Sequence, residues 1–190
     1  MSDPQLCSLG EYITYSELRR GIVRLSSPID DLNIGDLLGQ LAFANNYPPI
    51  TLEIISPGGE IYSAMALYDV LCNYGNVTGL VRGYAASAAA MIVLQGCARR
   101  LATPSARLLI HEPQMINYHS VTKVTNLEDD TRELQTLQSV IFDILAARTH
   151  KSKADLKQFV ERHEHWLSAT EALDFGLIDA IVLPSILPSA

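Results

Sequence analysis

The feature that most constrains this chain is an alternation of two kinds of segment. Short runs rich in β-branched and apolar residues occur at residues 21–27 (GIVRLSS), 50–56 (ITLEIIS), 76–83 (NVTGLVRG) and 106–111 (ARLLIH). Between them lie longer stretches with apolar residues at helical spacing. Strands separated by helices need crossover connections, so the expected class is a layered α/β domain with a parallel sheet. The punctuation agrees. Asp30 and Asp31 offer a helix start, apolar positions continue through Leu41 and Phe43, and Asn45, Asn46, Pro48 and Pro49 stop the helix. Ile61, Met65, Tyr68 and Leu71 mark one face of a helix over residues 60–74, with Gly75 as its stop. Met91 to Gly96 continue a further helix before the fourth strand.

The second half changes character. Residues 127–148 read as one long helix with Leu127, Leu134, Leu137, Ile141 and Leu145 in near-heptad spacing, opposite Glu128, Asp129, Asp130, Glu133 and Gln138. Such a stripe either closes the chain's own core or meets a partner chain. Ser168 and Glu171 form a capping-box pattern at the start of a short helix, a last strand follows, and residues 184–190 read as a frayed tail. No linker or repeat interrupts this, so residues 1–190 are expected to form one domain.

Composition bounds the function. A formal net charge of −7 argues against a nucleic-acid surface. The cysteines Cys7, Cys72 and Cys97 are odd in number and widely spaced, which suits a reducing compartment and gives no disulfide or metal framework. The amino terminus lacks a signal-peptide pattern and no apolar run is long enough to span a membrane. A soluble, cytoplasmic protein without a cofactor is expected.

The stretch GYAASAAAMI sets a single hydroxyl, Ser87, among alanines. On these residues alone Ser87 is either a small packing residue or a nucleophile kept approachable by its small neighbours. Serine acyl transfer needs a reachable hydroxyl, a base, and donors for the oxyanion. Ser87 follows a strand and opens a helix, so the Ala88 amide points out of a helix amino terminus. Ser56-Pro57-Gly58-Gly59 also follows a strand, and its glycines can bring a backbone N–H close to a ligand. Of the five histidines, His111 ends the fourth strand, whereas His119 and His150 lie in polar segments. His163 and His165 flank Glu164 without the further ligands a metal site requires.

Taken in order, the strand before SPGG, GYAASAAA, RLLIHEP, the long helix and WLSATEALDFGLID resemble the ClpP family of serine peptidases from about residue 21 to 182. The resemblance implies a ClpP/crotonase-like layered fold with a protruding handle helix (handle region about 112–148). It implies Ser87 as nucleophile, His111 as base, and the Gly59 and Ala88 amides as the oxyanion hole. It also implies assembly into two stacked heptameric rings, homomeric or mixed, that enclose polypeptide substrates and pair with a hexameric Clp ATPase. Three positions depart from the family. Glu164 stands where an aspartate usually completes the triad, after an apparent one-residue insertion. The segment after His111 lacks the family's glycines. Thr51 and Glu53 replace aromatic residues of the ATPase-docking pocket. A weakly active ring subunit, a phage capsid-maturation protease and a crotonase-type acyl-coenzyme A enzyme are the competing readings.

Overall fold

The computed structural model describes residues 8–114 and 124–183. Its elements are α1 (Leu9–Leu18), β1 (Ile22–Leu25), α2 (Asp31–Ala44), β2 (Ile50–Ser56), α3 (Ile61–Tyr74) and β3 (Val77–Ala86). A π-helical turn (Ala89–Val93) then runs into α4 (Leu94–Gly96), followed by β4 (Arg99–Ala102) and β5 (Arg107–Ile110). The remainder is α5 (Val124–Thr149), α6 (Lys153–Val160), β6 (His165–Ser168), α7 (Ala169–Phe175) and β7 (Ala180–Ile181). The expected tail, residues 184–190, and most of the segment after His111, residues 115–123, lie outside the described residues.

One parallel path runs β1-β2-β3-β4-β7, and β5 branches from β3 to pair antiparallel with β6. The branch has a local cause. Residues Thr78–Val81 of β3 pair with β4, whereas Tyr84–Ala86 pair with β5. Between them the β2–β3 register jumps from Ile54↔Val81 to Ser56↔Ala85, and Gly83 sits at φ 75°. A glycine with positive φ lets the strand bulge and turn rather than stop. The strand expected to end at Gly83 therefore continues to Ala86, which carries the following serine onto the β5 side of the sheet.

Burial follows the pleat. Ile50, Leu52 and Ile54 of β2 are fully buried, and α3 closes over the sheet with Ala64, Leu67 and Leu71. Each such large side chain contributes about 1.5–3 kcal/mol by area, an upper bound given a compact unfolded chain. Asp30 caps α2 by accepting the Leu32 and Asn33 amides, and Ser168 with Glu171 forms the reciprocal capping box on α7. Along α5, Leu137, Ile141 and Leu145 are buried within the protomer, together with Phe142 and Ile144. The carboxyl-terminal part of the stripe thus closes the chain's own core, while Thr131, Arg132 and Glu133 stay exposed.

A buried cation ties the far side together. Arg100, only 5% exposed, donates to Asp179, to Gln95 Oε1 at 2.8 Å, and to the Gly176 carbonyl at 2.8 Å. It reaches the Arg148 carbonyl at 3.4 Å, and its own amide donates to Asp179 Oδ2 at 2.7 Å. Burial pushes the Asp179 carboxyl upward, but the Arg100 hydrogen bonds outweigh this and hold it below the usual carboxylate range. A carboxyl depressed in the folded state stabilises above its unfolded pKa, and that contribution is lost as pH falls through the folded value. Asp179→Ala is expected to cost about 2 kcal/mol in chemical denaturation at neutral pH, because it strips a buried guanidinium of its counter-charge. Asp179→Asn should also flatten the stability loss of the parent protein below about pH 4. Unchanged stability in both variants would contradict this account.

Candidate active site

The site is built on two loops that meet at strand ends. At the end of β2, the buried Ser56 hydroxyl donates to the Ser27 carbonyl at 2.7 Å and accepts the Gly58 amide at 3.2 Å. Ile29 N–H donates to the Gly58 carbonyl at 2.9 Å, and Glu60 N–H donates to the Ile29 carbonyl at 2.8 Å. Gly59 is thereby held in a bridge with Ile29 at φ 152°. A Cβ on Gly59 would stand 2.0 Å from the Ile29 carbonyl oxygen, so no larger residue fits this backbone.

At the end of β3, Ser87 takes φ 53°, a conformation that costs a non-glycine residue of order 1 kcal/mol and concentrates at functional sites. Its amide donates to the Leu109 carbonyl of β5 at 3.0 Å. Its carbonyl accepts the Ala90 and Met91 amides at 3.0 and 2.9 Å, which starts the π-helical turn. Ser87 is half-buried, whereas Ala85, Ala86, Ala88, Ala89 and Ala90 are buried. The alanines let the elbow sink into the fold while Ser87 itself stays partly exposed. Among the described residues, neither the Gly59 nor the Ala88 amide is given to a carbonyl in a turn, loop or cap.

His111 directly follows β5, and Ala86 of β3 pairs with Leu109 of β5. Ser87 and His111 therefore stand at the carboxyl ends of adjacent parallel strands. Among the described residues the Ser87 hydroxyl makes no hydrogen bond to His111, whose Nδ1 lies 2.5 Å from the Glu112 carbonyl oxygen. With Nδ1 as donor to that carbonyl, Nε2 is the nitrogen free to act as a base.

Glu164 precedes β6. The antiparallel register pairs Arg107↔Ser168, Leu108↔Leu167, Leu109↔Trp166 and Ile110↔His165. His111 follows β5 and Glu164 precedes β6, so each is the residue next beyond the last pair of this ladder. Glu164 is exposed and makes no hydrogen bond to His111 among the described residues. His165 turns away and stacks on Phe159 with ring centroids 4.0 Å apart. Glu112, which no motif in the sequence marks, is the carboxylate with a contact here: its Oε2 accepts the Arg162 backbone N–H at 3.3 Å.

Thr51 and Glu53 lie on β2, and both are half-buried. Burial pushes the Glu53 carboxyl up, yet hydrogen bonds from Arg82 and Arg24 at 2.8 and 3.0 Å outweigh it and hold it below the usual range. Arg24 also pairs with Glu17, so this face carries an alternating charge network. Burial pushes the Cys97 thiol up to about 12, which removes it as a competing nucleophile. No helix among the described residues is long and apolar enough to cross a membrane.

A serine held at an elbow between a strand and a helix, beside a histidine and a glycine loop with turned-out amides, is the equipment of acyl transfer on an α/β frame. The Clp protease family model matches residues 9–185. The chain is 34% identical to ATP-dependent Clp protease proteolytic subunit 2 of Frankia casuarinae, covering 92% of this chain and 82% of that protein. It is 34% identical to proteolytic subunit 1 of Rhodococcus jostii over 85% of this chain and 74% of that one. It is 33% identical to proteolytic subunit 2 of Corynebacterium jeikeium over 84% and 78%. This chain belongs to the Clp protease family, and it is a ClpP-type serine peptidase subunit. The capsid-maturation, weakly active ring and crotonase readings find no support in these relatives.

Gly58 gives the test of the elbow. It sits at φ 86°, and an added Cβ would stand 2.5 Å from the Ala86 carbonyl oxygen and 2.9 Å from the Ala88 amide nitrogen. Gly58→Ala is expected to lower peptidase kcat/KM by at least about a hundredfold, since displacing reacting groups by an ångström costs that much. Wild-type kcat/KM would show that the contact does not set the geometry.

Proposed function

We propose that this chain cleaves peptide bonds with Ser87, His111 and Glu164 as the triad, and with the Gly59 and Ala88 amides as the oxyanion hole. The observation that carries the reading is the Ser87 elbow, half-exposed at φ 53° among buried alanines, beside the strand that ends in His111. Ser87 Oγ attacks the scissile carbonyl while His111 Nε2 takes its proton. The two amides receive the negative charge that develops on the carbonyl oxygen. His111 then returns the proton to the leaving amine, and water, activated by the same imidazole, hydrolyses the acyl-serine. Glu164 takes the Nδ1–H from the Glu112 carbonyl when substrate engages, and stabilises the imidazolium.

The same reading makes the chain a subunit of two stacked heptameric rings, homomeric or mixed with a paralogue, in which unfolded polypeptides and short peptides are cut. The exposed Thr131, Arg132 and Glu133 of α5, ahead of its buried part, support it as the handle between rings. A Clp ATPase delivers folded substrates in an ATP-dependent manner. Its docking element meets a charged face at Glu53, Arg24 and Arg82, so an apolar loop would have to desolvate an ion-pair network. Docking through hydrogen bonds and charge suits this face better.

Ser87→Ala should reduce cleavage of a short fluorogenic peptide by at least about a thousandfold without changing assembly size, because the hydroxyl supplies chemistry and little packing. Residual activity above about a tenth would remove Ser87 as nucleophile. Glu164→Gln should lower kcat by about a hundredfold or more, because an amide can hold the wrong imidazole tautomer. Wild-type kcat in that variant would leave a Ser87–His111 dyad.

A further inference from the structure

Between His111 and Glu164 runs a contact that belongs to neither residue. The Glu112 side chain leaves the end of β5 and accepts the Arg162 N–H at 3.3 Å, bridging 50 positions of sequence. Arg162 sits at φ 60°, a left-handed turn at a residue with a Cβ, two positions before Glu164. Turns of this kind persist where their surroundings hold them. Below the turn, the β5–β6 ladder fixes the register as far as Ile110↔His165. Above it, Glu112 is the described side chain that fastens the turn back to the β5 exit. Glu164 lies in sequence between these two anchors, next to the last ladder pair on the β6 side as His111 is on the β5 side.

We propose that Glu112 is a positioning residue for the triad. Its carboxylate pins the Arg162 turn, and so holds the Glu164 segment where its carboxylate can take Nδ1–H of His111 from the Glu112 carbonyl. The inference rests on the Ser87–His111–Glu164 reading and deepens it. Glu112 touches no reacting atom; it acts through Glu164. An acceptor oxygen is what the contact requires, so glutamine in place of glutamate keeps it and alanine removes it. Partners that orient a working side chain in this way are typically worth about 10–100-fold.

The test compares Glu112→Ala, Glu112→Gln, Glu164→Gln and the double variant Glu112→Ala/Glu164→Gln, assayed as full chains on a short peptide. Circular dichroism and assembly size verify that each remains folded. Glu112→Ala should lower kcat about tenfold with KM within about twofold, and Glu112→Gln should restore most of the loss. In the Glu164→Gln background, Glu112→Ala should add less than about a twofold further loss, because residues acting through one another are not additive. Full kcat in Glu112→Ala, or a full tenfold loss that persists without the Glu164 carboxylate, would overturn the proposal. So would equal losses in Glu112→Ala and Glu112→Gln, since the accepted hydrogen bond would not be the cause. Failure of the underlying triad reading looks different: Ser87→Ala would then keep its activity whatever Glu112 does.

Discussion

The site depends on how closely two backbones approach at Gly58. The glycine loop after β2 lies directly against the Ser87 elbow, so near that a methyl group on Gly58 would strike Ala86, Ser87 and Ala88 together. Every other part of the arrangement serves that contact. Ser56 and Ile29 hold the glycine loop from behind. The bulge at Gly83 turns β3 so that its last residues pair with β5 and bring Ser87 against it. Small alanines around the serine remove side chains that would prop the two backbones apart. Oxyanion stabilisation by backbone amides requires such pre-set geometry, because donors that must move at the moment of reaction lose their advantage.

Behind the elbow, the helix that begins with the π-helical turn is buried in the apolar core, and a polar network also ties it down. Gln95 Nε2 donates to the Ala90 carbonyl at 2.8 Å, and Gln95 Oε1 accepts from Arg100. Arg100 in turn holds Asp179, the end of α7 and the end of α5. One buried guanidinium thereby links the helix that follows Ser87 to the carboxyl end of α5.

Much of this was legible in the sequence because the signals were local. The β2 strand, the caps at Asp30 and Ser168, and the stop at Gly75 each depend on a few adjacent residues. What escaped depends on distant partners. β4 is hidden by Arg99 and Arg100, since a buried arginine reads as a surface residue until Asp179, 79 positions away, is placed beside it. β6 is four residues long and exists through its pairing with β5. α1 has no fully buried residue and so no strong apolar period. The apolar stripe of α5 left two partners open, and packing resolved Leu137, Ile141 and Leu145 into the protomer's own core. Ser87, His111 and the glycine loop do stand at strand ends, as their residue types and flanking runs suggested. Glu112 carried no such signal, because its contact crosses to a turn 50 positions away.

The central claim is that Ser87 is a nucleophile activated by His111. Intact mass with peptide mapping, after reaction with a fluorophosphonate that modifies activated serines, tests it most directly. The account predicts one adduct per chain, located on Ser87, and its loss in His111→Ala on the same timescale. An adduct at another residue, or undiminished labelling of Ser87 in His111→Ala, would contradict it.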